Sequence, residues 1–306
     1  MNLLASRSNL QGRPGRPFWG RLWLVGVSAL ALPLTLGGCG GAEDNGGMLV
    51  SQMAATNLQY SRSMTITVAG SGLDKGLRVS VDAGCGEVTE SPGGDALTRR
   101  FTCKVTALGP KTIRAYSANN LEIARLQASV PEPEVTMILQ GVDTTTSTFT
   151  VKLDPTQAPI SVNNFLDYVN AGFYRLTIFH RVVKDFVVQG GGYTAGTVSP
   201  VVKNPTSPAI VLESKTPLRN VKGSIAMART GDPNSATSQF YINTVDNPSL
   251  DYKSDAEPGY AVFGAVTTGM DVIERLNAVP VRVDLFTGLT HLPVTNVVIL
   301  SALQTK

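Results

Sequence analysis

Short runs in which apolar and polar residues alternate recur along most of the chain, from residue 49 to its end, and turn residues separate them. Met64, Ile66 and Val68, for example, alternate with threonines. A period of two is typical of strands with one buried face. Apolar residues at helical spacing mark two stretches, 159–170 and 271–276, and strands and helices do not alternate. The pattern therefore predicts a mainly β protein.

Net charge and composition exclude several classes of protein. The 306 residues carry a formal net charge of +3, but residues 1–38 hold four arginines and no acid. The remaining residues carry 22 basic and 23 acidic side chains, so we expect no basic face for a nucleic-acid partner. Two histidines and three cysteines leave little room for a metal site, and we expect neither a metal nor a cofactor. Beyond the first 38 residues, no apolar run reaches the roughly 18 residues of a membrane-spanning helix, which argues against a multi-span membrane protein.

The first 38 residues have the layout of an export signal. A basic beginning is followed by an apolar run at 22–36 and then by Gly37, Gly38 and Cys39. This ending resembles a bacterial lipobox, in which the cysteine is lipidated and becomes the first residue of the mature chain. We therefore expect a signal peptide at 1–38 and a lipidated tether at 39–48. The protein would be anchored to a membrane of the bacterial cell envelope and would face the periplasm. The alternative is an ordinary signal peptide with a chance cysteine.

The other two cysteines form an even pair if Cys39 is lipidated. In an oxidising compartment, Cys85 and Cys103 can form a disulfide. Closing this loop would stabilise the fold by roughly 3 kcal/mol in the loop-entropy model. The alternative is a pair of buried free thiols.

Residues 49–130 contain the strand-like runs of a first domain. Their length and turn spacing are typical of a small antiparallel β-sandwich, which we expect to be immunoglobulin-like. This stretch has no histidine and no usefully spaced pair of acids, so we interpret it as a spacer or binding module. Pro131, Glu132 and Pro133 predict a stiff linker, and a second domain would occupy residues 131–306.

Three sequence blocks in the second domain carry a family resemblance. The first has Phe179, His180 and Arg181, then Phe186, then Gln189 and three glycines. The second runs over 223–229 as GSIAMAR and continues over 238–243 as SQFYIN, and the third is YAVFG at 260–264. Their content and order resemble the signatures of the cyclophilins in their bacterial form, over residues 134–306. The resemblance implies an eight-stranded antiparallel barrel with two capping helices, and catalysis of the cis/trans isomerisation of X-Pro bonds.

Rotation about an X-Pro bond makes and breaks no covalent bond, so it requires neither a nucleophile nor a metal. It is assisted by a donor aimed at the prolyl nitrogen and by a dry apolar pocket for the ring. Arg181 suits the first role because its planar guanidinium is always charged. The resemblance implies catalytic roles for Arg181, Phe186 and Gln189. It implies substrate binding by His180, Val187, Ala228, Arg229 (through its backbone), Gln239, Phe240, Tyr241, Leu250 and Tyr260. For His180 a packed core position is the alternative.

Four positions depart from the family pattern. Val187 stands at the place of a pocket methionine, and Tyr241 at that of a phenylalanine whose replacement adds a hydroxyl in need of a partner. Ser249 aligns with the pocket tryptophan of eukaryotic members, and Tyr260 with a histidine. These changes put cyclosporin binding in question, and substrate affinity to a lesser degree, but leave Arg181, Phe186 and Gln189 unchanged.

The leading hypothesis is a lipid-anchored peptidyl-prolyl isomerase whose partners are proline-containing exported polypeptides. One alternative is a proline-peptide-binding or chaperone-like envelope module with little or no catalysis. Another is a structural lipoprotein with a vestigial barrel. Arg181 discriminates between them, because a pure binder has no need of a charged donor at the prolyl nitrogen.

Overall fold

A computed structural model describes residues 47–306. The predicted signal peptide at 1–38, the lipidation site Cys39 and most of the tether at 39–48 lie outside the described residues. No helix within residues 47–306 is both long enough and apolar enough to cross a membrane.

The first part of the described chain forms two antiparallel sheets. Its strands are β1 (Leu49–Thr56), β2 (Ser63–Ser71), β3 (Arg78–Val81), β4 (Thr89–Glu90), β5 (Thr98–Lys104), β6 (Gly109–Tyr116) and β7 (Glu122–Val130). One sheet has the order β1-β2-β5-β4 and the other has the order β3-β6-β7. Met64, Ile66 and Val68 are fully buried, as the alternation predicts. An immunoglobulin-like topology stays a prediction.

A disulfide joins Cys103 in β5 to Cys85 in the loop between β3 and β4, with the two Cα atoms 5.8 Å apart. Cys103 is buried in the same core as Phe101 and Ile113. The bond therefore ties the β3–β4 loop to a central strand of the four-stranded sheet.

The second part of the chain is an eight-stranded antiparallel barrel with small additions. Its elements are β8 (Glu134–Gln140), β9 (Ser147–Leu153), α1 (Pro159–Asn170), β10 (Thr177–Val183), β11 (Val187–Thr194), β12 (Val201–Val202), β13 (Ser224–Met227), β14 (Phe240–Asn243), β15 (Val262–Thr268), α2 (Met270–Asn277), β16 (Val281–Arg282), β17 (Leu292–Pro293) and β18 (Val298–Gln304). The strand order is β10-β18-β8-β9-β15-β13-β14-β11, and pairing of β10 with β11 closes the barrel. The predicted fold class of this region, a barrel with two helices, is confirmed.

Helix α1 has the predicted bounds, and its predicted apolar stripe is buried. Pro159 occupies the first turn, where a missing N–H costs no hydrogen bond. Gly172 follows the helix with a positive φ of 68°, the left-handed conformation that commonly ends helices. Inside the barrel, Phe165 of α1 packs against the rings of Phe240 and Phe263 at centroid distances of 5.6 and 5.1 Å. The helix thus seals the barrel through an aromatic core.

Hydrogen bonds connect the two-sheet region with the barrel. Nε of Arg62 donates to Oδ1 of Asn170 at the end of α1, at 3.1 Å. Nε2 of Gln304 in β18 donates to the carbonyl of Tyr60 at 3.0 Å. The segment at 131–133 links β7 to β8, and Glu132 in it pairs with Lys152 of β9.

Candidate active site

A row of paired residues crosses five strands on one side of the barrel. Arg181 of β10 pairs with Gln189 of β11, which in turn pairs with Tyr241 of β14. Tyr241 pairs with Ala226 of β13, and Ala226 pairs with Val262 of β15. Directly paired residues on neighbouring strands project to the same face of a sheet. The register therefore brings together side chains that are up to 81 residues apart in sequence.

A cavity of about 260 Å³ lies over this row. Every residue that lines it belongs to the set predicted from sequence: Arg181, Phe186, Val187, Gln189, Ala228, Arg229, Tyr241, Leu250 and Tyr260. The structure thus places three predicted catalytic residues and six predicted substrate-binding residues around one space.

The polar side of the cavity is a chain of three side chains. Nη1 of Arg181 donates to Oε1 of Gln189 at 3.4 Å, and Nε2 of Gln189 donates to Oε1 of Gln239 at 3.0 Å. Gly192 makes this chain possible, because a Cβ there would lie 2.5 Å from Cδ of Gln239. Within residues 47–306, Arg181 takes part in none of the ion pairs. Its half-buried guanidinium therefore keeps an uncompensated charge beside the cavity.

The apolar side of the cavity belongs to a cluster that is separate from the main core. Val187, Ala228 and Tyr241 are buried in it, and Phe186, Leu250 and Tyr260 pack against them. The Tyr241 and Tyr260 rings meet edge to face with centroids 5.7 Å apart. Ser249 is exposed in a short 3-10 turn, Pro248–Leu250, and adds no wall. The cavity thus has a charged donor on one side and aliphatic and aromatic walls on the other.

Arg229 closes one end of the cavity. Its Nε and Nη2 donate to the carbonyl of Gly259 at 3.1 and 2.9 Å, and its guanidinium stacks 4.5 Å from the centre of the Tyr260 ring. These contacts fix the side chain, which positions the Arg229 backbone at the cavity wall. That this backbone binds a peptide stays a prediction.

Phe240 does not line the cavity, so its predicted role in substrate binding stays a prediction without support from this geometry. It is fully buried and pairs with Gly190 and Met227, one position out of step with the cavity row. Its ring packs in the barrel core, 5.4 Å from that of Tyr174 and 5.9 Å from that of Phe179. Because neighbouring residues in a strand face opposite sides, Phe240 and Tyr241 cannot both reach the cavity.

His180 and Gln239 also lie away from the cavity wall. His180 is 2% exposed and its ring lies 4.6 Å from that of Tyr193, which favours the packed core position. Substrate binding by His180 stays a prediction. Burial lowers the pKa of His180 to about 4, which keeps its imidazole neutral at physiological pH. Gln239 reaches the site only through its hydrogen bond to Gln189.

The sequence analysis missed a group of buried asparagines behind the apolar walls. The hydroxyl of Tyr241 donates to Oδ1 of Asn220 at 2.7 Å, so the hydroxyl expected to need a partner has one. Burial raises the pKa of Tyr241 well above its usual value, so the hydroxyl stays protonated and can donate. Asn243 and Asn247 continue the group with a bond of 2.7 Å between them. The unpaired hydroxyl was the available signal, but nothing in the sequence pointed to Asn220.

No cluster of three or more histidine, cysteine, aspartate or glutamate side chains in the described part of the chain is arranged to hold a metal ion. The side chains that line the cavity offer a cation, an amide group and apolar surface.

Comparisons with known proteins identify the family. Residues 141–303 match the family model described as cyclophilin type peptidyl-prolyl cis-trans isomerase/CLD. The chain is similar to peptidyl-prolyl cis-trans isomerase A of Dickeya dadantii, with 50% identity over 127 residues, which are 42% of this chain and 64% of that protein. It is 44% identical to peptidyl-prolyl cis-trans isomerase B of Escherichia coli over 42% of this chain and 77% of that protein. It is 42% identical to the isomerase cyp18 of Streptomyces antibioticus over 53% of this chain and 95% of that protein. The chain therefore belongs to the cyclophilin-type peptidyl-prolyl cis-trans isomerase family.

Proposed function

We propose that this chain catalyses the cis/trans isomerisation of X-Pro bonds in polypeptides, with the cavity beside Arg181 as the active site. The observation that carries the proposal is the combination of a guanidinium that has no ion-pair partner among residues 47–306 with apolar walls around a cavity of about 260 Å³. The apolar walls can contact the pyrrolidine ring of a proline, and the guanidinium can donate a hydrogen bond to the prolyl nitrogen.

The reaction is slow without a catalyst because conjugation of the amide resists rotation, with a barrier of about 18–20 kcal/mol. As the bond twists, conjugation is lost and the lone pair becomes localised on the prolyl nitrogen. A hydrogen bond from Arg181 to that nitrogen is stronger in the twisted amide than in the planar one, so it lowers the barrier. Gln189 accepts one hydrogen bond from Arg181 and thereby orients the guanidinium. A remaining donor on the Gln189 amide is available for a substrate carbonyl.

The apolar walls have a separate task, which is to hold the ring while the acyl side rotates. Phe186, Leu250 and Tyr241 offer aliphatic and aromatic surface, and their contact with the ring excludes water. Exclusion of water strengthens the hydrogen bond from Arg181, because the local dielectric constant falls.

The experiment is a protease-coupled or NMR exchange assay of the full chain on a proline tetrapeptide. We expect the rate of interconversion to rise linearly with protein concentration. A chain that binds the peptide without accelerating the interconversion would overturn the proposal in favour of a proline-peptide-binding module.

The cellular setting is also part of the proposal: a lipid anchor at Cys39 would hold the protein at the bacterial envelope, where its clients are exported proteins. The lipobox-like sequence at 36–39 supports this setting. The disulfide between Cys85 and Cys103 agrees with it, because such bonds persist in oxidising compartments. Intact-mass spectrometry of membrane-extracted protein tests the anchor. A mature chain that begins elsewhere, or an unmodified Cys39 thiol, would overturn it.

A further inference from the structure

The wall residue Tyr241 is held from behind by a polar group that does not touch the cavity. Its hydroxyl donates to Oδ1 of Asn220 at 2.7 Å, and both residues are buried, with exposures of 4% and 1%. Asn220 is absent from the cavity lining. The hydrogen bond therefore directs the hydroxyl away from the space that a substrate would fill.

The same polar group is also connected to Phe186 and Leu250, two further residues of the apolar walls. Nδ2 of Asn247 donates to the backbone carbonyl of Phe186 at 3.0 Å and to Oδ1 of Asn243 at 2.7 Å. Nδ2 of Asn243 in turn donates to Oδ1 of Asn220 at 3.2 Å. The backbone N–H of Leu250 donates to the carbonyl of Asn247 at 2.9 Å. Three side-chain amides thus fix the positions of Phe186, Tyr241 and Leu250 relative to one another.

Asn220 also anchors the segment that carries Leu250. Its backbone N–H and its Nδ2 both donate to Oδ1 of Asp251, at 2.7 and 3.0 Å. The backbone N–H of Asn247 donates to the Asn220 carbonyl at 2.7 Å. Asn220 is therefore the residue through which the Tyr241 wall and the 247–251 segment are joined.

Without the Asn220 acceptor, the buried hydroxyl of Tyr241 would destabilise the folded chain. A buried hydroxyl that has lost its acceptor costs about 1–3 kcal/mol. The ring can avoid this cost by moving its hydroxyl toward water, and the open side of Tyr241 is the cavity. Such a movement would fill the space for the proline ring and would make an apolar wall polar.

We propose that Asn220 is a positioning residue for the proline cavity. It holds the Tyr241 hydroxyl outside the cavity and keeps the wall residues Phe186, Tyr241 and Leu250 in place before a substrate binds. This inference rests on the proposed function of the cavity. It assigns to Asn220 an effect on substrate affinity rather than on the rotation step, because neither Arg181 nor Gln189 is bonded to the asparagine group.

The test compares Asn220→Leu with wild type in the full chain, using NMR titration and exchange spectroscopy on a proline tetrapeptide. Leucine has the same number and branching of side-chain heavy atoms as asparagine but no acceptor. We expect the peptide Kd to rise about tenfold, equivalent to ~1.4 kcal/mol. The interconversion rate of the bound peptide should change by less than about threefold, since the donor side is untouched.

The decisive variant is the double substitution Asn220→Leu with Tyr241→Phe. Phenylalanine has no hydroxyl that needs an acceptor, so its ring can stay in the wall when Asn220 is replaced. The double variant should therefore bind the peptide at least about threefold more tightly than Asn220→Leu alone. Tyr241→Phe by itself should weaken binding by about twofold, because Asn220 then loses one of its donors. A purely structural role of Asn220 predicts no such rescue.

Asn170→Leu is the matched control. Asn170 is also a hydrogen-bonded asparagine, but its partners are Arg62 and Gln304, outside the cavity. It should lower the melting temperature and leave the peptide Kd unchanged. An equal rise of Kd in Asn170→Leu, or a double variant no better than Asn220→Leu, would overturn the inference.

If Asn220→Leu does not fold, Asn220→Val replaces it in the same comparison, because valine is smaller than leucine and likewise has no acceptor for the Tyr241 hydroxyl. Recovery of peptide affinity on adding Tyr241→Phe supports the inference, and no recovery contradicts it. A wild-type chain that binds the peptide but does not accelerate its isomerisation would contradict the proposed function alone, because the role of Asn220 is measured by Kd.

Discussion

Arg181 and Gln189 face each other across two neighbouring strands, with Nη1 of the arginine 3.4 Å from Oε1 of the glutamine. Gln189 is itself held by Gln239 at 3.0 Å. The direction of the guanidinium thus depends on a chain of two amides, which is why Gln239 matters to the site without lining it. The glutamine acts on the reaction in part through the arginine.

Gln189→Leu should lower kcat/KM by about tenfold. This is near the lower end of the range for losing a hydrogen bond to a charged group, because the bond between Arg181 and Gln189 is long. The variant keeps Arg181 but removes its acceptor. Steady-state kinetics on a proline tetrapeptide measures the effect. Gln127→Leu serves as the control, because Gln127 is also a hydrogen-bonded strand glutamine but binds Thr112 in the two-sheet region. Equal kcat/KM values in the two variants would contradict the account.

Phe240→Ala and Phe186→Ala should separate stability from substrate binding. Phe240 is fully buried in the aromatic core, so its truncation should lower the free energy of unfolding by about 3–5 kcal/mol. Phe186 is a partly buried cavity wall, so its truncation should chiefly raise KM and lower turnover. Denaturant unfolding and steady-state kinetics distinguish them. A Phe186→Ala variant with unchanged KM would show that the cavity is not the proline site.

His180 should make the stability of the protein depend on pH. Its pKa in the folded chain is about 4, below the ordinary value of 6.5, because burial disfavours the charged imidazole. Between these two values the unfolded chain binds a proton that the folded chain does not. Stability is therefore expected to fall as the pH falls from about 6.5 to about 4, by up to ~3 kcal/mol.

The variant His180→Gln isolates this contribution. Its free energy of unfolding, measured by denaturant titration at several pH values, should change less than that of wild type over the same window. Parallel curves for the two proteins would contradict the buried, neutral histidine.

The disulfide should matter for stability but not for catalysis. Reduction of the Cys85–Cys103 bond should lower the stability of the two-sheet region by roughly 3 kcal/mol, because the loop becomes free in the unfolded chain. The cavity residues all follow residue 180 in sequence, so kcat/KM should not change. Thermal unfolding and kinetics with and without reductant check both statements, and the variant Cys85→Ser with Cys103→Ser controls for the reductant itself. A loss of kcat/KM on reduction would contradict the separation.

Local patterns predicted much of the fold because the relevant interactions are close in sequence. The bounds of α1 follow from its apolar stripe, from Pro159 and from Gly172, and α2 extends the predicted 271–276 by one residue at each end. Two-residue strands such as β4 and β12 carry too few residues for a periodic signal, so the sequence did not indicate them. They exist because a neighbouring strand offers hydrogen bonds.

Motifs predicted which residues line the site, but not which face of the strand each residue occupies or which residues lie behind the cavity walls. Motifs name residues that lie close together in sequence, such as Phe240 and Tyr241, without saying which face each occupies. The strand period supplies that information, and it separates the core residue Phe240 from the cavity residue Tyr241. The contact between Tyr241 and Asn220, which are 21 residues apart, depends on the packing of a loop behind β14, and no local pattern encodes it.

The measurement that tests the account most directly is kcat/KM of Arg181→Ala on a proline tetrapeptide, next to wild type and Arg181→Lys. Loss of one preorganised donor should lower kcat/KM by about 10²–10³-fold. Lysine should restore little, because a compact ammonium lacks the planar fork of the guanidinium. Arg125→Ala, which removes an exposed arginine of the two-sheet region, should behave as wild type. An Arg181→Ala variant that keeps near-wild-type kcat/KM, in a chain whose wild type is active, would contradict the proposed mechanism.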